Sequence, residues 1–142
     1  MHHSSPSPPR RAHRGAAAVE FALILPFLCF AFVAAVDFAR VFYYSIAVNN
    51  CARNGALYGS KDQAHALDTA GIQTAAQLDT VNLDVTKVGV TSSTDSSTSP
   101  NYVTVTVTYP FTTITQYPGI SSQITLSRTV QMSVVPATPT FP

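Results

Sequence analysis

Residues 15–36 read GAAAVEFALILPFLCFAFVAAV, and Glu20 is their single charged residue. As a helix, the 21 residues from 16 to 36 extend about 31 Å at roughly 1.5 Å per residue. That length matches the hydrocarbon core of a bilayer, which is about 30 Å thick. The run therefore predicts a transmembrane helix at 16–36.

The segment before this run is basic, and it orients the predicted helix. Arg10, Arg11 and Arg14 precede the apolar residues and no acid does, which places the N-terminus in the cytoplasm. A cleaved secretory signal has the same layout, and the small residues 33–35 lie near a possible cut. The run is longer than the usual 7–15 apolar residues of such signals. The length favours an uncleaved anchor.

Glu20 is the unusual residue of the run. A carboxylate in hydrocarbon costs about 2.5 kcal/mol or more, so it needs a partner or a role. In one interpretation it reaches the cytoplasmic interface and has no function. In the other, the chain is cut after Gly15, and Glu20 becomes the fifth residue of a new N-terminus. Its charge then pairs with the new amino group of a neighbouring chain. Pilin-like subunits assemble through a pairing of this kind.

The overall composition limits the possible functions. The chain has 142 residues and a formal net charge of +1, which makes no case for nucleic-acid binding. Charged residues form 11% of it, against about 25% in a typical soluble domain. Ser and Thr dominate the C-terminal half, as expected of a domain that contacts other subunits. Cys29 and Cys51 lie about 33 Å apart on one helix, so they form no disulfide within the chain.

The helical pattern continues beyond the apolar run. Residues 37–58 carry apolar side chains at i, i+4 and i+8, and Gly59-Ser60 is a stop signal. Asp37 and Arg40 are spaced to pair across one turn. Gly55 and Gly59 match a small-residue contact motif outside the bilayer, where we expect Gly55 to pack on a sheet and Gly59 to end the helix. We predict a helix extension at 37–60.

The remainder predicts a small periplasmic α+β domain at 61–135. We expect a weaker helix at 62–79, a strand near 82–91 and a Ser/Thr-rich loop at 91–101. Residues 102–109 alternate valine with threonine, which is typical of a half-buried strand, and Pro110 is expected to end it. A connection at 111–122 leads to a last strand that contains Ile124, Leu126, Val130, Met132 and Val134.

The predicted fold class is α+β. A long N-terminal membrane-spanning helix continues into the periplasm and packs on an antiparallel sheet of about three strands. Arg128 interrupts the apolar face of the last strand, so we expect it at an edge or against a partner. Residues 136–142 hold three prolines and predict a disordered tail.

The sequence contains little that suggests catalysis. Asp62, His65 and Asp68 are spaced at i, i+3 and i+6, but no cysteine or second histidine joins them, so we interpret them as a solvated helix face. A Gly-x-Ser-x-Gly elbow and a phosphate-binding glycine loop are both missing from the sequence. We therefore expect neither an enzyme nor a cofactor.

Several segments together resemble a known family. Residues 15–21 resemble the processing site of prepilins of the tight-adherence (Flp) type, with a glycine, four residues, then glutamate and an aromatic residue. Residues 22–27, 37–40 and 52–58 are similar to TadE-like pseudopilins, and 103–111 resembles their valine/threonine strand more loosely. The order and spacing of these segments make the resemblance fairly specific.

The resemblance implies a minor pilin or pseudopilin of a tight-adherence (type IVb) pilus and secretion system in a bacterial inner membrane. Residues 1–15 would then be a cytoplasmic prepilin-type leader, removed by a prepilin peptidase between Gly15 and Ala16. Gly15, Ala16, Glu20 and Phe21 form the implied processing site, and Glu20 is also the implied assembly residue. The implied partners are the membrane, other pilin and pseudopilin subunits, the peptidase and the inner-membrane assembly platform. The alternative is an uncleaved, signal-anchored periplasmic binding or adhesion module.

Overall fold

A computed structural model describes residues 14–80, 82–97, 100–115, 119 and 121–136. The leader at 1–13 and the tail from 137 onward lie outside the described residues. The chain forms two compact units, Met1–Val36 and Asp37–Pro142. Helix α1, Arg14–Gly59, contains the whole described part of the first unit and continues into the second.

Helix α1 is 46 residues long and continues through Pro26. Alanine, leucine and phenylalanine make up most of its first half, and all three residue types are compatible with an α-helix. Its end at Gly59 confirms the predicted stop signal, and its length confirms that the helix continues past the apolar run.

Two short helices replace the single helix predicted at 62–79. They are α2, Gln63–Leu67, and α3, Thr69–Gln77, and they are separated by Asp68. The Asp68 carboxylate accepts a hydrogen bond from the Gly71 amide at 2.9 Å, which makes Asp68 the N-cap of α3. An aspartate that caps a new helix competes with continuing the old one, so the prediction of one helix was wrong.

The sheet is antiparallel with strand order β1-β2-β3, which confirms the predicted fold class. Its strands are β1, Gly89–Asp95, β2, Tyr102–Thr112, and β3, Gln123–Ser133. The strand predicted at 82–91 was misplaced: 85–87 form a short 3-10 turn, and much of the predicted loop at 91–101 is β1. Asp84 explains the turn, since its carboxylate accepts from the Thr86 hydroxyl and amide at 2.6 and 3.2 Å.

We predicted that strand β2 ends at Pro110, but the strand continues to Thr112. The partner strand β1 begins at Gly89, opposite Thr108. Beyond that position β2 pairs with β3 alone, so Pro110 lies where one side of the strand has no neighbouring strand in the described sheet. Proline is tolerated at such an edge, because no ladder hydrogen bond is lost there.

The core of the second unit lies between the sheet and the last four turns of α1. The valines of β2 are buried and the threonines between and after them, Thr104, Thr106 and Thr108, are half-buried, as the alternation predicts. Gly55 lets the helix approach the sheet: a Cβ there would lie 3.1 Å from Val105 Cγ1 and 3.2 Å from Ala76 Cβ. The core side chains from the helices are Val48, Cys51, Ala52, Ala56, Ala66, Ile72 and Ala76.

The predicted alternation in β3 is less sharp than that of β2. Leu126 is buried, and Val130 and Met132 pack against the core from partly buried positions. Arg128 lies on the edge strand, as expected, and its Nη2 group donates to Ser45 Oγ at 3.1 Å.

Candidate processing and assembly site

The residues of the implied processing site lie in the first two turns of α1. Gly15, Ala16, Glu20 and Phe21 are all exposed. Among the described residues, and apart from its chain neighbours and helix backbone, no atom lies within 4 Å of the position that a Cβ on Gly15 would occupy. Nothing in the described part of the chain therefore covers the bond between Gly15 and Ala16.

This bond is helical, whereas a protease binds its substrate as an extended strand. Glycine weakens a helical turn by roughly 1 kcal/mol relative to alanine. Local unwinding at Gly15 therefore costs less than it would with an alanine at the same position.

Glu20 has no ion-pair partner among the described residues of this chain. The ion pairs of the described residues join Arg40 to Asp37 and Lys87 to Asp84, and His65 Nδ1 lies 2.8 Å from Asp62 Oδ1. The carboxylate stands on an exposed helical surface, so its charge is available to a group on another molecule.

The apolar side chains around Glu20 are exposed as well. α1 contains the one stretch in the described part of the chain that is long and apolar enough to cross a membrane, and none of that stretch is buried. Burying one Leu or Phe side chain is worth about 1.5–3 kcal/mol. An isolated helix with this surface is unfavourable in water, and lipid or partner helices must cover it. The exposed large side chains are Val19, Phe21, Leu23, Ile24, Leu25, Phe27, Leu28, Phe30 and Phe32.

Asp37 is a buried carboxylate at the start of the second unit. Its side chain is 4% exposed, and Arg40 Nη1 lies 3.3 Å from Oδ1, which confirms the predicted pair. The Ile114 amide donates to Oδ1 at 2.9 Å. The Thr115 amide and hydroxyl donate to Oδ2 at 3.2 and 2.7 Å. Asp37 thus fastens α1 to the connection after β2.

The hydrogen bond from the Ile114 amide is the largest cause that lowers the pKa of Asp37 below its ordinary value of 3.8, followed by that from the Thr115 hydroxyl. Burial acts in the opposite direction. Sequence reasoning missed this cluster beyond Arg40, because 77 residues separate Asp37 from Ile114. The available signal was an aspartate directly after an apolar run.

Asp62 and Asp68, which were expected on a solvated helix face, cap α2 and α3, and Asp68 is exposed while Asp62 is partly exposed. Asp62 accepts from the His65 amide at 2.8 Å at the start of α2. Asp68 accepts from the Gly71 amide, and from the Tyr58 hydroxyl at 2.8 Å. The backbone hydrogen bond from His65 is the largest cause that lowers the pKa of Asp62. The bond from Gly71 has the same effect on the pKa of Asp68.

Comparison with protein families identifies the N-terminal part of the chain. The family model of "TadE-like protein" matches residues 15–57. This segment of the chain is TadE-like. The match begins at the glycine of the implied processing site and ends two residues before α1 does. It confirms the TadE-like resemblance of residues 22–27, 37–40 and 52–58 and supports a protein associated with a tight-adherence pilus.

The TadE-like segment includes Gly15, Ala16, Glu20 and Phe21, and also Asp37 and Gly55. The sheet lies outside it. No curated protein and no solved structure matches the chain.

Proposed function

We propose that this protein is a minor pilin, or pseudopilin, of a tight-adherence pilus assembly and secretion system. It is a single-pass protein of the bacterial inner membrane, with a cytoplasmic N-terminus and a periplasmic C-terminal unit. The observation that carries the proposal is the TadE-like match at 15–57. That range contains the exposed apolar helix and every residue of the implied processing site.

The first step is removal of the leader by a prepilin peptidase between Gly15 and Ala16. Gly15 offers no side chain to the protease, and Ala16 presents one methyl group. Both residues are exposed, and the glycine lowers the cost of local unwinding. The product has Ala16 at its N-terminus and Glu20 at its fifth position.

The second step is assembly with other pilin and pseudopilin subunits on the inner-membrane platform. The new α-amine has a reference pKa near 8, so it is mostly charged at pH 7. An ion pair between this amine and Glu20 of a neighbouring subunit gains strength in low dielectric. Because an unpaired charge there is costly, the pair also selects one axial register. The exposed apolar side chains of 19–32 supply the packing surface.

The protein acts by binding rather than by turnover. Three carboxylates of the second unit have structural roles: Asp37 fastens the helix to the connection after β2, and Asp62 and Asp68 cap helices. The role needs no cofactor and no nucleic acid.

Substitution at Glu20 tests assembly separately from processing. We expect Glu20→Gln to abolish incorporation into the pilus fraction while leader removal is retained or only slowed. Glu20→Asp, which keeps the charge one methylene shorter, should retain part of the incorporation. If Glu20→Gln incorporates like the wild type, the uncleaved, signal-anchored binding module becomes the better account. A domain found free of the membrane after fractionation would instead indicate cleavage near Ala35.

A further inference from the structure

A polar cleft opens on the C-terminal unit beside the first turns of its helix. Its volume is about 150 Å³, whereas one water needs roughly 10–15 Å³ on the same scale, so the cleft has room for a polyatomic group. Two of its side chains are cations and three are aromatic. The residues that matter here are Arg40, Lys87, Tyr44, Tyr109, Phe111 and Pro110.

Arg40 is held in place by two contacts. Its Nη1 group donates to Asp37 Oδ1 at 3.3 Å, and its Cζ atom lies 5.1 Å from the centre of the Phe111 ring. This is the one side-chain hydrogen bond that Arg40 makes to the described residues. The N–H groups on Nε and Nη2 can therefore donate to a bound group. A guanidinium that is already fixed loses little conformational freedom when it binds a further anion.

Lys87 supplies the second cation from the far wall of the cleft. Its Nζ lies 3.2 Å from Asp84 Oδ2, and the side chains of Lys87 and Asp84 are 59% and 43% exposed. Exposed pairs of this kind are weak, because solvent screens them and both side chains lose freedom. Lys87 can therefore turn to an anion that enters the cleft.

The aromatic residues form a rigid floor. The rings of Tyr44 and Tyr109 stack with centroids 5.6 Å apart, and the Phe111 ring lies 5.4 Å from Tyr44. Phe111 is buried and Tyr44 is partly buried. Such a floor excludes water from one side of a bound anion, and this strengthens its attraction to Arg40 and Lys87.

We propose that this cleft binds the phosphate group of a membrane phospholipid. Arginine and lysine are the side chains that bind phosphate oxygens best, through charge-assisted hydrogen bonds. Arg40 follows Val36, the last residue of the apolar run, by four positions on the same helix. That spacing is about 6 Å of helix rise, which puts Arg40 at headgroup depth when the run crosses a bilayer. Tyrosine is also enriched at this depth. The inference depends on the membrane anchoring of the proposed function, but not on cleavage or assembly.

Lipid binding to the full-length chain in detergent micelles tests the proposal. The probes are dioleoyl phosphatidylglycerol, dioleoylglycerol without the phosphate, and inorganic phosphate, and bound lipid is counted by native mass spectrometry. We expect phosphatidylglycerol to bind and dioleoylglycerol not to. Lys87→Gln should weaken the binding by about tenfold or more, the effect of losing one charge-assisted hydrogen bond.

Lys61→Gln is the matched control. It removes the same charge from the same unit, but Lys61 lies 5.0 Å over the Tyr58 ring and outside the cleft. An equal loss in Lys61→Gln and Lys87→Gln would overturn the proposal, as would equal binding of dioleoylglycerol. Inorganic phosphate that binds as tightly as the lipid would show a free-anion site instead. Arg40→Lys should bind the lipid more weakly than the wild type. If Arg40→Lys does not fold, the comparison of Lys87→Gln with Lys61→Gln still tests the proposal.

Discussion

The contact between α1 and β2 at Gly55 gives the sharpest test of the packing. A Cβ at this position meets Val105 Cγ1 at 3.1 Å, Ala76 Cβ at 3.2 Å and the Ile72 carbonyl oxygen at 3.3 Å. These contacts are tight, so Gly55→Ala must displace its neighbours by a few tenths of an ångström. The gain in helix propensity, about 1 kcal/mol, opposes that strain. We expect Gly55→Ala to stay within about 1 kcal/mol of the wild type.

Gly55→Leu has nearly the same helix propensity as Gly55→Ala, so the difference between the two variants reports packing alone. Leucine adds three carbons where a backbone oxygen and two side chains already limit the space. Overpacking of this kind costs about 1–3 kcal/mol. For a unit of roughly 100 residues, the melting temperature of Gly55→Leu should fall about 5–20 °C below that of Gly55→Ala.

Thermal unfolding of the full chain in detergent, followed by near-UV circular dichroism, measures this difference. The chain has six tyrosines and no tryptophan, so its tyrosines, which include the stacked Tyr44 and Tyr109 rings, supply the tertiary signal. Asn49→Ala and Asn49→Leu form the matched control pair, because Asn49 is exposed on the same helix. They should differ by less than about 0.5 kcal/mol. A Gly55→Leu variant as stable as Gly55→Ala would refute the close approach of α1 to β2.

Three further predictions concern the same unit. Hydrogen bonds lower the pKa of Asp37 in the folded chain, so Asp37 stabilises the fold above its ordinary pKa of 3.8, and this contribution is lost as the pH falls through the lower folded value. Asp37→Asn should therefore flatten the acid limb of a pH–stability curve. An unchanged curve would contradict the role of Asp37 in fastening α1 to the connection after β2. Ile72→Ala should destabilise the unit by about 2–5 kcal/mol in a urea titration, against less than about 0.5 kcal/mol for the exposed Ile114→Ala, and equal effects would place Ile72 outside the core. In a Cys29→Ser background, Cys51 should react with a water-soluble thiol reagent only on unfolding, because it is buried and burial raises its pKa; fast labelling of the native protein would count against that burial.

The features that the sequence predicts well are those with a local period. The apolar run gave the start of α1, and the valine/threonine alternation gave β2 and its buried face. Gly59 marked the end of the helix because glycine interrupts a helical pattern. Each of these signals comes from residues that are close together in the sequence, within one or two helical turns or a few positions along a strand.

The errors arise where a side chain or a distant strand decides the outcome. Asp68 could continue one helix or cap another, and only the bond to Gly71 distinguishes the two. The Ser/Thr-rich residues of β1 carry no apolar alternation, and they are a strand because β2 provides a ladder for them. Pro110 is tolerated because β1 is absent from its side. The Asp37 cluster likewise needs the fold, which brings residues 114 and 115 to the helix.

The mass of the mature N-terminal peptide tests the central claim most directly. The protein should be isolated from cells that contain an active prepilin peptidase, and in parallel from cells in which the peptidase is inactivated. We predict an N-terminus at Ala16 in the first sample and an intact leader in the second. An intact leader in both samples, or a start near Val36, would contradict the assignment as a processed minor pilin.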